Sequence, residues 1–326
     1  MIKIKIEKHS FPFKEPFSIT GHTFTASDTI RVVIEEDAYV GRGEAIGAYY
    51  MNETANSMEA QLNAVLHKMP FGVNRDSIQA LLPSGGALNA LDCALWDLTV
   101  KRMGKSIWTL LKINPRPLSS VATIGIDSPE AMGEAAKKFA QYCNLKIKLS
   151  NEDPIARLEA IRAARPDATL IVDVNQGWTF EELKEYTPFA KKLGIAMIEQ
   201  PLPRGGDAEL EGYNSAVPLG ADESCLDSSE YETAARRYDV INIKLDKCGG
   251  LTEGLKIVNL AKRDGKGLMV GNMCGSSLSM APSYVIGQFC QYIDIDGPLL
   301  LKQDIENALH YGDGGVVTVP TPQLWG

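Results

Sequence analysis

The sequence predicts an α/β fold, a TIM-type barrel of eight strands beside a smaller α+β domain. Eight short apolar, β-branched runs recur at 121–126, 145–149, 170–174, 196–198, 219–221, 240–245, 268–270 and 292–295. They lie roughly 22 to 27 residues apart with helical periodicity between them, the pattern of βα units on a parallel sheet. Most of the runs end in a carboxylate or a lysine, and the C-terminal ends of barrel strands are where catalytic groups sit. The preceding 118 residues read differently, and 326 residues exceed the roughly 250 of a barrel alone, so a smaller unit is expected beside it.

In chain order, residues 2–6 alternate apolar and charged side chains as a half-buried strand does, and strands follow at 29–35 and 39–44. A polar, turn-prone stretch fills 10–27, and a second, 48–56, follows the Gly41–Glu44 turn. Either is a candidate mobile lid. Helical periodicity returns at 87–103, where Leu88, Leu91, Ala94, Leu95 and Leu98 share a face and Gly104 stops the helix. Pro115 and Pro117 mark a boundary, and each of the eight runs is followed by an amphipathic stretch. In the tail, a short helical piece, a turn at 312–315 and a strand at 316–319 are expected to return to the first domain. The division is therefore 1–118, completed by 304–326, as the smaller α+β domain and 119–303 as the barrel.

Hydrophobic content of 44% and charged content of 23% suit a chain with a large core, and a net charge of −8 argues against nucleic acid or an anionic membrane as partner. Six cysteines without short paired spacings suggest buried thiols in place of a zinc ribbon or disulfide framework. With no apolar signal-peptide core and no stretch approaching a membrane span, the expected home is a reducing cytoplasm.

Asp173, Glu199 and Asp222 close three successive runs, 26 and 23 residues apart. A single acidic residue at a barrel mouth reads equally well as a solvated loop residue. Three in phase need a counter-charge, and hard oxygen ligands suit Mg²⁺, with Mn²⁺ also fitting. Lys146 and Lys148 are two apart on one strand and share a face, with Leu145, Ile147 and Leu149 on the other. One ammonium beside another and near a divalent cation is expected to have a depressed pKa, which makes a lysine a usable base. Lys244 ends the sixth run, four strands from Lys148 and so diametrically opposite in a ring of eight. Two lysines on opposite faces of a substrate carbon can remove a proton from one side and return it to the other while the metal holds a carboxylate as an enediolate, which is racemisation or epimerisation. Asp294 and Asp296, two apart at the eighth run, suit a primary ammonium.

These residues resemble the enolase superfamily, its muconate lactonizing subgroup, and within that the dipeptide epimerases that act on L-Ala-D/L-Glu. The resemblance covers essentially the whole chain. It rests on Leu145-Lys146-Ile147-Lys148-Leu149, Asp173-Val174-Asn175, Ile198-Glu199-Gln200-Pro201, Ala221-Asp222-Glu223-Ser224, the run from Ile243-Lys244 through Lys247-Cys248-Gly249-Gly250, and Asp294-Ile295-Asp296-Gly297-Pro298. It implies Asp173, Glu199 and Asp222 as Mg²⁺ ligands, Lys148 and Lys244 as paired acid/base catalysts, Lys146 as electrostatic partner of Lys148, and Asp294 with Asp296 as the site for a substrate α-ammonium. It also implies a modified TIM-type (β/α)7β barrel with an α+β capping domain, 1–118 completed by 304–326, whose two loops, at 17–25 and 48–56, read the variable side chain of a dipeptide. Some relatives carry an arginine in the first loop, where this chain has Gly21, His22 and Thr23. His22 is the substrate-binding candidate there, with Lys14 and Arg42 as further cations. On the seventh strand, where many relatives have a glutamate, stands Gly275, which with Ser276 is expected to shape the pocket wall.

The implied function is a Mg²⁺-dependent epimerase inverting the C-terminal residue of L-Ala-L-Xaa, with L-Ala-D/L-Glu the best match. A role in peptidoglycan-peptide recycling and homo-oligomeric assembly follow from the resemblance alone. o-Succinylbenzoate synthase, a lyase using the same lysines and metal, competes, as do N-acylamino acid racemisation and muconate cycloisomerisation. The Asp294 and Asp296 pair argues against the lyase. A barrel that binds a ligand without turnover is the alternative from another class, and retention of all three carboxylates and both opposed lysines argues against it.

Overall fold

A computed structural model describes residues 2–19, 21–67 and 74–326. The chain opens with an antiparallel sheet of order β1-β2-β3: β1 (Ile2–Ile19), β2 (His22–Glu36) and β3 (Tyr39–Ile46). The sequence reading placed a loop over 10–27, and the structure corrects it. β1 and β2 pair from Ile2 with Glu36 up to Ile19 with His22, broken by one irregularity between Pro12 and Phe17. Phe11, Phe13, Phe17 and Ile19 supply the period-2 apolar pattern that the polar residues between them disguise. The lid expected at 17–25 is thus the end of a long hairpin, with Thr20 outside the described residues. Lys302 N donates to Pro12 O at 2.8 Å and Lys14 Nζ to Leu299 O at 2.8 Å, which pins the ribbon to the end of the barrel.

A 3-10 turn at Tyr49–Met51 leads to α1 (Ala55–Leu66), where Thr54 and Ser57 form a capping box. α2 (Arg75–Leu81) and α3 (Gly86–Met103) follow, and Gly104 ends α3 at φ 60°. α3 is buried almost all round, between the sheet and the barrel. Two glycines on β3 permit that approach: a Cβ on Gly43 would lie 2.1 Å from Ala90 O, and one on Gly41 2.3 Å from Ala94 O. α4 (Ile107–Leu111) completes this region.

After the short β4 (Leu118–Ser119), eight parallel strands run in chain order as neighbours: β5 (Ala122–Ile124), β6 (Asn144–Lys148), β7 (Thr169–Asp173), β8 (Ile195–Glu199), β9 (Leu219–Ala221), β10 (Val240–Ile243), β11 (Gly267–Val270) and β12 (Tyr292–Ile293). Val121 N donates to Ile293 O at 2.9 Å and joins the two edges of the curled sheet. α5 (Pro129–Lys138), α6 (Pro154–Ala164), α7 (Phe180–Lys192), α8 (Tyr231–Arg237), α9 (Leu245–Cys248), α10 (Leu251–Asp264) and α11 (Ser277–Gly287) fill the crossovers. The connection from β8 to β9 differs from expectation: it holds only a 3-10 turn at Ala208–Leu210, because Pro201, Pro203, Gly205, Gly206 and Pro218 leave no run able to propagate a helix.

Outward strand residues and the helices share one large core. A second, small cluster of Val121, Ile171, Met197, Val240 and Met269 comes from strand residues on the other face. With carbon at that level, the polar inward residues are left for the C-terminal ends of the strands. Beyond β12 come α12 (Gly297–Leu300) and β13 (Val316–Val317), which pairs with β4. The expected helical piece of the tail is absent among the described residues, and Asn307 stands at φ 55° within it. The tail docks on α3: Trp325 Nε1 donates to Cys93 O at 3.1 Å and Gly326 N to Asp97 Oδ1 at 2.9 Å. No helix among the described residues is long and apolar enough to cross a membrane.

Candidate active site

Strand register delivers the polar cluster. Lys148 on β6 pairs with Asp173 on β7, and Asp173 with Glu199 on β8. Lys146, Lys148 and Asp173 point inward, while Leu145, Ile147 and Leu149 pack outward in the core. Lys148 Nζ lies 2.6 Å from Asp173 Oδ2 and donates to Asn175 Oδ1 at 3.1 Å. Lys146 Nζ meets three carboxylates: Asp173 at 3.0 Å, Glu199 at 2.9 Å and Asp294 at 2.7 Å. Four strands round from Lys148, Lys244 Nζ lies 2.6 Å from Asp222 Oδ2. Lys247, given no role from sequence, is fully buried and donates to Asp222 Oδ1 at 2.7 Å.

Protein charges set these groups against the expected direction for the lysines. Burial disfavours the Lys146 ammonium, yet Asp294, Glu199 and Asp173 outweigh it and hold the group well above the ordinary lysine range. Lys244 is raised in the same way, burial being overcome mainly by Asp222. Asp173 and Asp222 lie well below the usual carboxylate range because neighbouring lysines outweigh their burial, whereas burial and Asp173 push Glu199 up. For Lys146 the depression expected from sequence is therefore reversed by the carboxylates around it.

The three carboxylates are fully buried but do not converge as they stand: among the described residues no group of three or more His, Cys, Asp or Glu side chains forms a metal cluster. Lys146 lies between Asp173 and Glu199. The donors nonetheless fit a hard divalent cation. Glu199 Oε2 and Asp222 Oδ2 are buried without any hydrogen bond, meeting only the ammonium groups named above.

Several positioning residues escaped the sequence reading. Asn242, two before Lys244 and so on the same strand face, donates to Glu199 Oε1 at 2.7 Å. Gln200 accepts from Asp222 N at 2.9 Å and Ser224 N at 3.0 Å and donates to Leu202 O at 2.8 Å, locking the segment that carries Asp222. Asn175, Gln176 and Gln200 all have positive φ, at 46°, 69° and 36°, a concentration of strained backbone at the ends of β7 and β8. Glu223 is 1% exposed with neither carboxyl oxygen hydrogen-bonded, and burial with Asp222 and Asp173 pushes it up to about 8.

Asp294 and Asp296 come together just past β12 and are both buried. Asn272 Nδ2 donates to Asp294 Oδ1 at 2.9 Å and reaches Asp296 Oδ1 at 3.4 Å, while Thr123 N donates to Asp296 Oδ2 at 2.8 Å. Burial and Asp294 push the Asp296 carboxyl up to about 7. Above the cluster is a cavity of about 530 Å³, whose wall includes Lys148, Lys244, Asn175, Asn272 and Cys274 from the barrel and residues of β1, β2 and the 49–56 segment from the cap. Burial pushes the Cys274 thiol up to about 12, which leaves it unreactive.

The cap candidates fare differently from the barrel ones. His22 is exposed and does not line the cavity; its ring lies tilted against Tyr49 (4.6 Å between centroids) and stacks with Phe24 (6.1 Å). Arg42 donates to Leu324 O at 2.7 Å and also to Gln323 O, so it and Lys14 hold chain segments together. Ser276 is not a pocket wall: its hydroxyl donates to Glu44 Oε1 at 2.5 Å, and a Cβ on Gly275 would meet Ile46 Cδ1 at 2.3 Å.

A barrel with inward lysines on opposed strands, carboxylates on three strand ends and a cap over the mouth defines an enolase-type architecture. Residues 1–112 match the family model described as mandelate racemase / muconate lactonizing enzyme, N-terminal domain, and 131–323 the one described as enolase C-terminal domain-like. The chain belongs to this mandelate racemase / muconate lactonizing enzyme family of the enolase superfamily. It is 37% identical to the L-Ala-D/L-Glu epimerase of Escherichia coli K12 over 96% of this chain and 99% of that one. It is also 37% identical to the N-acetyl-D-glutamate racemase of a Pseudoalteromonas species, over 91% and 95%. An enolase family member from Agrobacterium tumefaciens, with homology to dipeptide epimerases and bound to sodium and L-Ala-L-Glu, superposes with a TM-score of 0.96 at 37% identity, each chain fully covered. Other matching solved dipeptide epimerases are complexed with Mg and a dipeptide.

Proposed function

We propose that this chain is a Mg²⁺-dependent dipeptide epimerase that inverts the α-carbon of the second residue of L-Ala-L-Xaa, with L-Ala-D/L-Glu the reaction of its named relatives. The observation that carries the reading is the pair of lysines on opposed strands, Lys148 and Lys244, which both reach the wall of one cavity. Asp173, Glu199 and Asp222 would hold the cation, which would supply positive charge to the substrate carboxylate as that group takes up the negative charge left when the α-proton is removed.

Lys148 and Lys244 take and return the proton at the two faces of the α-carbon, each acting as base for one stereoisomer and acid for the other. Lys146 stays charged beside Lys148, held by Asp294, Glu199 and Asp173. Asn242 and Gln200 keep Glu199 and the Asp222 segment oriented. Asp294 and Asp296 receive the substrate ammonium in exchange for contacts with Lys146 and Asn272.

The division into a cap of 1–118 with 304–326 and a barrel of 119–303 belongs to this reading. So do a homo-oligomeric cytoplasmic enzyme and a role in peptidoglycan-peptide recycling.

A second reading, racemisation of an N-acylated amino acid, is favoured by the equal identity to the N-acetyl-D-glutamate racemase. Proton NMR in D₂O with Mg²⁺ separates the two. Loss of the Xaa α-proton signal from L-Ala-L-Xaa with little exchange on N-acetyl-L-glutamate is expected. The reverse ranking would replace the dipeptide reading, and exchange on neither would end both.

A further inference from the structure

The cavity has a floor of charge and a roof of carbon, and the roof bears on the side chain of the inverted residue. Phe13, Phe17, Ile19 and Phe24 from the hairpin, with Ile46 at the end of β3 and Tyr49 in the turn after it, make up its apolar wall. The aromatic rings run on as a connected set: Phe24 to Tyr49 at 5.9 Å and Tyr49 to Tyr50 at 5.1 Å between centroids. His22 caps the set from outside against Tyr49, so the hairpin and the 3-10 turn meet through aromatic faces.

A glutamate side chain in this space would need a cation. Apart from the two catalytic lysines, the charged or imidazole side chains on the wall are Lys8, His9, Asp28 and Glu53. Lys8 Nζ is held by Glu59 at 2.8 Å and Asn56 at 3.0 Å, and His9 lies against Glu7 at 3.3 Å. Glu53 is anchored by Gly86 N at 3.0 Å and Ala48 N at 3.1 Å. Asp28 adds a further acidic group. Lys14 and Arg42, the other cations the sequence offered, are spent on backbone carbonyls away from the cavity. Among the described residues, then, no uncommitted cation faces the roof, and the uncommitted charge there is acidic. Burying a carboxylate without a partner is strongly unfavourable, whereas burying aliphatic or aromatic surface against these rings is favourable.

We infer that the cap selects a large apolar side chain, aromatic or branched aliphatic, at the inverted residue in preference to glutamate. This inference rests on the dipeptide epimerase reading and names the substrate class within it.

The test is competition among L-Ala-L-Phe, L-Ala-L-Tyr, L-Ala-L-Leu and L-Ala-L-Glu with the wild-type Mg²⁺ enzyme, reading α-proton exchange of the second residue in D₂O. The apolar dipeptides are expected to exceed L-Ala-L-Glu in kcat/KM by roughly 10 to 10²-fold. Equal or faster exchange on L-Ala-L-Glu overturns the inference and leaves the epimerase reading standing. Exchange on no dipeptide overturns the reading beneath it.

Phe24→Arg supplies a second readout. A cation set into the roof is expected to lower the L-Ala-L-Phe to L-Ala-L-Glu ratio by roughly tenfold. Should that variant fail to fold, Phe24→Ala is expected to lower the ratio of L-Ala-L-Phe to L-Ala-L-Ala. An unchanged ratio in the folded variant would contradict an apolar roof.

Discussion

At the barrel mouth, functional side chains stand at or near strand ends, most of them meeting a group of opposite charge. In the cavity above it, side chains come from a hairpin and a turn and meet mainly aromatic carbon. The difference is one of how position is fixed. A strand end in a closed ring is held by hydrogen bonds to two neighbours, so a lysine or aspartate there can be placed for chemistry. Among the described residues the hairpin end pairs only with itself, and ring contacts and a few bonds, such as Ile126 N to Ser18 O, join it to the rest. Catalysis is therefore expected to break sharply when the mouth is altered, and selectivity to shift gradually when the cap is.

The largest break should come from Lys148→Ala and Lys244→Ala. Each is expected to reduce epimerisation by roughly 10² to 10⁴-fold, while exchange survives from the one stereoisomer whose proton faces the remaining lysine. Deuterium incorporation followed separately for the two stereoisomers reads this directly. Full epimerisation in either variant would exclude a two-base mechanism. Chelation with EDTA should abolish turnover and Mg²⁺ restore it, and turnover untouched by chelation would remove the carboxylates from the metal role.

The mouth was legible in the sequence because its signals obey a fixed period. Lys146 and Lys148 two apart, and carboxylates closing successive apolar runs, can be assigned to an inward face from strand geometry alone. The partners of those groups were less visible. Asn242 and Gln200 are neutral amides, and only the closed barrel, where Asn242 on β10 reaches Glu199 on β8, shows what they do. The cap was read less well. Pro12, Lys14, Glu15 and Pro16 among the phenylalanines made a strand look like a loop, since their unfavourable strand propensity is overridden by pairing with β2 on both sides of the irregularity at 13–16 and by the bridge of Phe13 to Leu301 at the barrel end. His22, Lys14 and Arg42 were candidates by charge, and only the structure shows that two of them are committed to carbonyl oxygens.

A smaller effect should separate the two parts of the substrate. Asp296→Asn keeps an acceptor for Thr123 N but removes charge from the pair expected to hold the ammonium. KM for L-Ala-L-Xaa is expected to rise about tenfold with a lesser change in kcat, consistent with losing a charge-assisted hydrogen bond. An N-acetyl amino acid, which has no ammonium, should show no such change. Parallel changes for both substrates would mean that the pair positions Lys146 instead.

The joint between mouth and cap gives a prediction for stability. Asp246, two residues past Lys244, accepts from Ile46 N at 2.9 Å and Asn89 Nδ2 at 3.0 Å, and so ties the turn after β10 to β3 and α3. Burial pushes its carboxyl from 3.8 to about 7. A folded-state pKa above the unfolded one means that the folded chain holds the proton more tightly. Its contribution is then full below about pH 3.8 and lost as pH rises through about 7. Urea midpoints measured from pH 4 to 8 should fall more steeply in the wild type than in Asp246→Asn. Equal slopes would mean that the joint does not titrate.

The smallest effect tests the comparison with matched chemistry. α1 in the cap and α7 in the barrel begin with the same capping box, Thr54 with Ser57 and Thr179 with Glu182, in which each threonine hydroxyl accepts from the backbone three residues on at 3.1 and 3.2 Å. Replacing either threonine by alanine should cost about 1 kcal/mol, read as similar drops in urea midpoint. The functional consequences should differ. Thr54 itself lines the cavity and follows directly on the Tyr49–Met51 turn and Glu53, so fraying there loosens the aromatic wall. Thr179 caps a helix on the outside of the barrel, where Asp173 is already fixed by strand pairing on both sides. A change of a few-fold in KM with nearly constant kcat is thus expected for Thr54→Ala alone. If Thr179→Ala shifted KM as much, the mouth would be as soft as the cap, and strand pairing would not be what holds the catalytic groups in place.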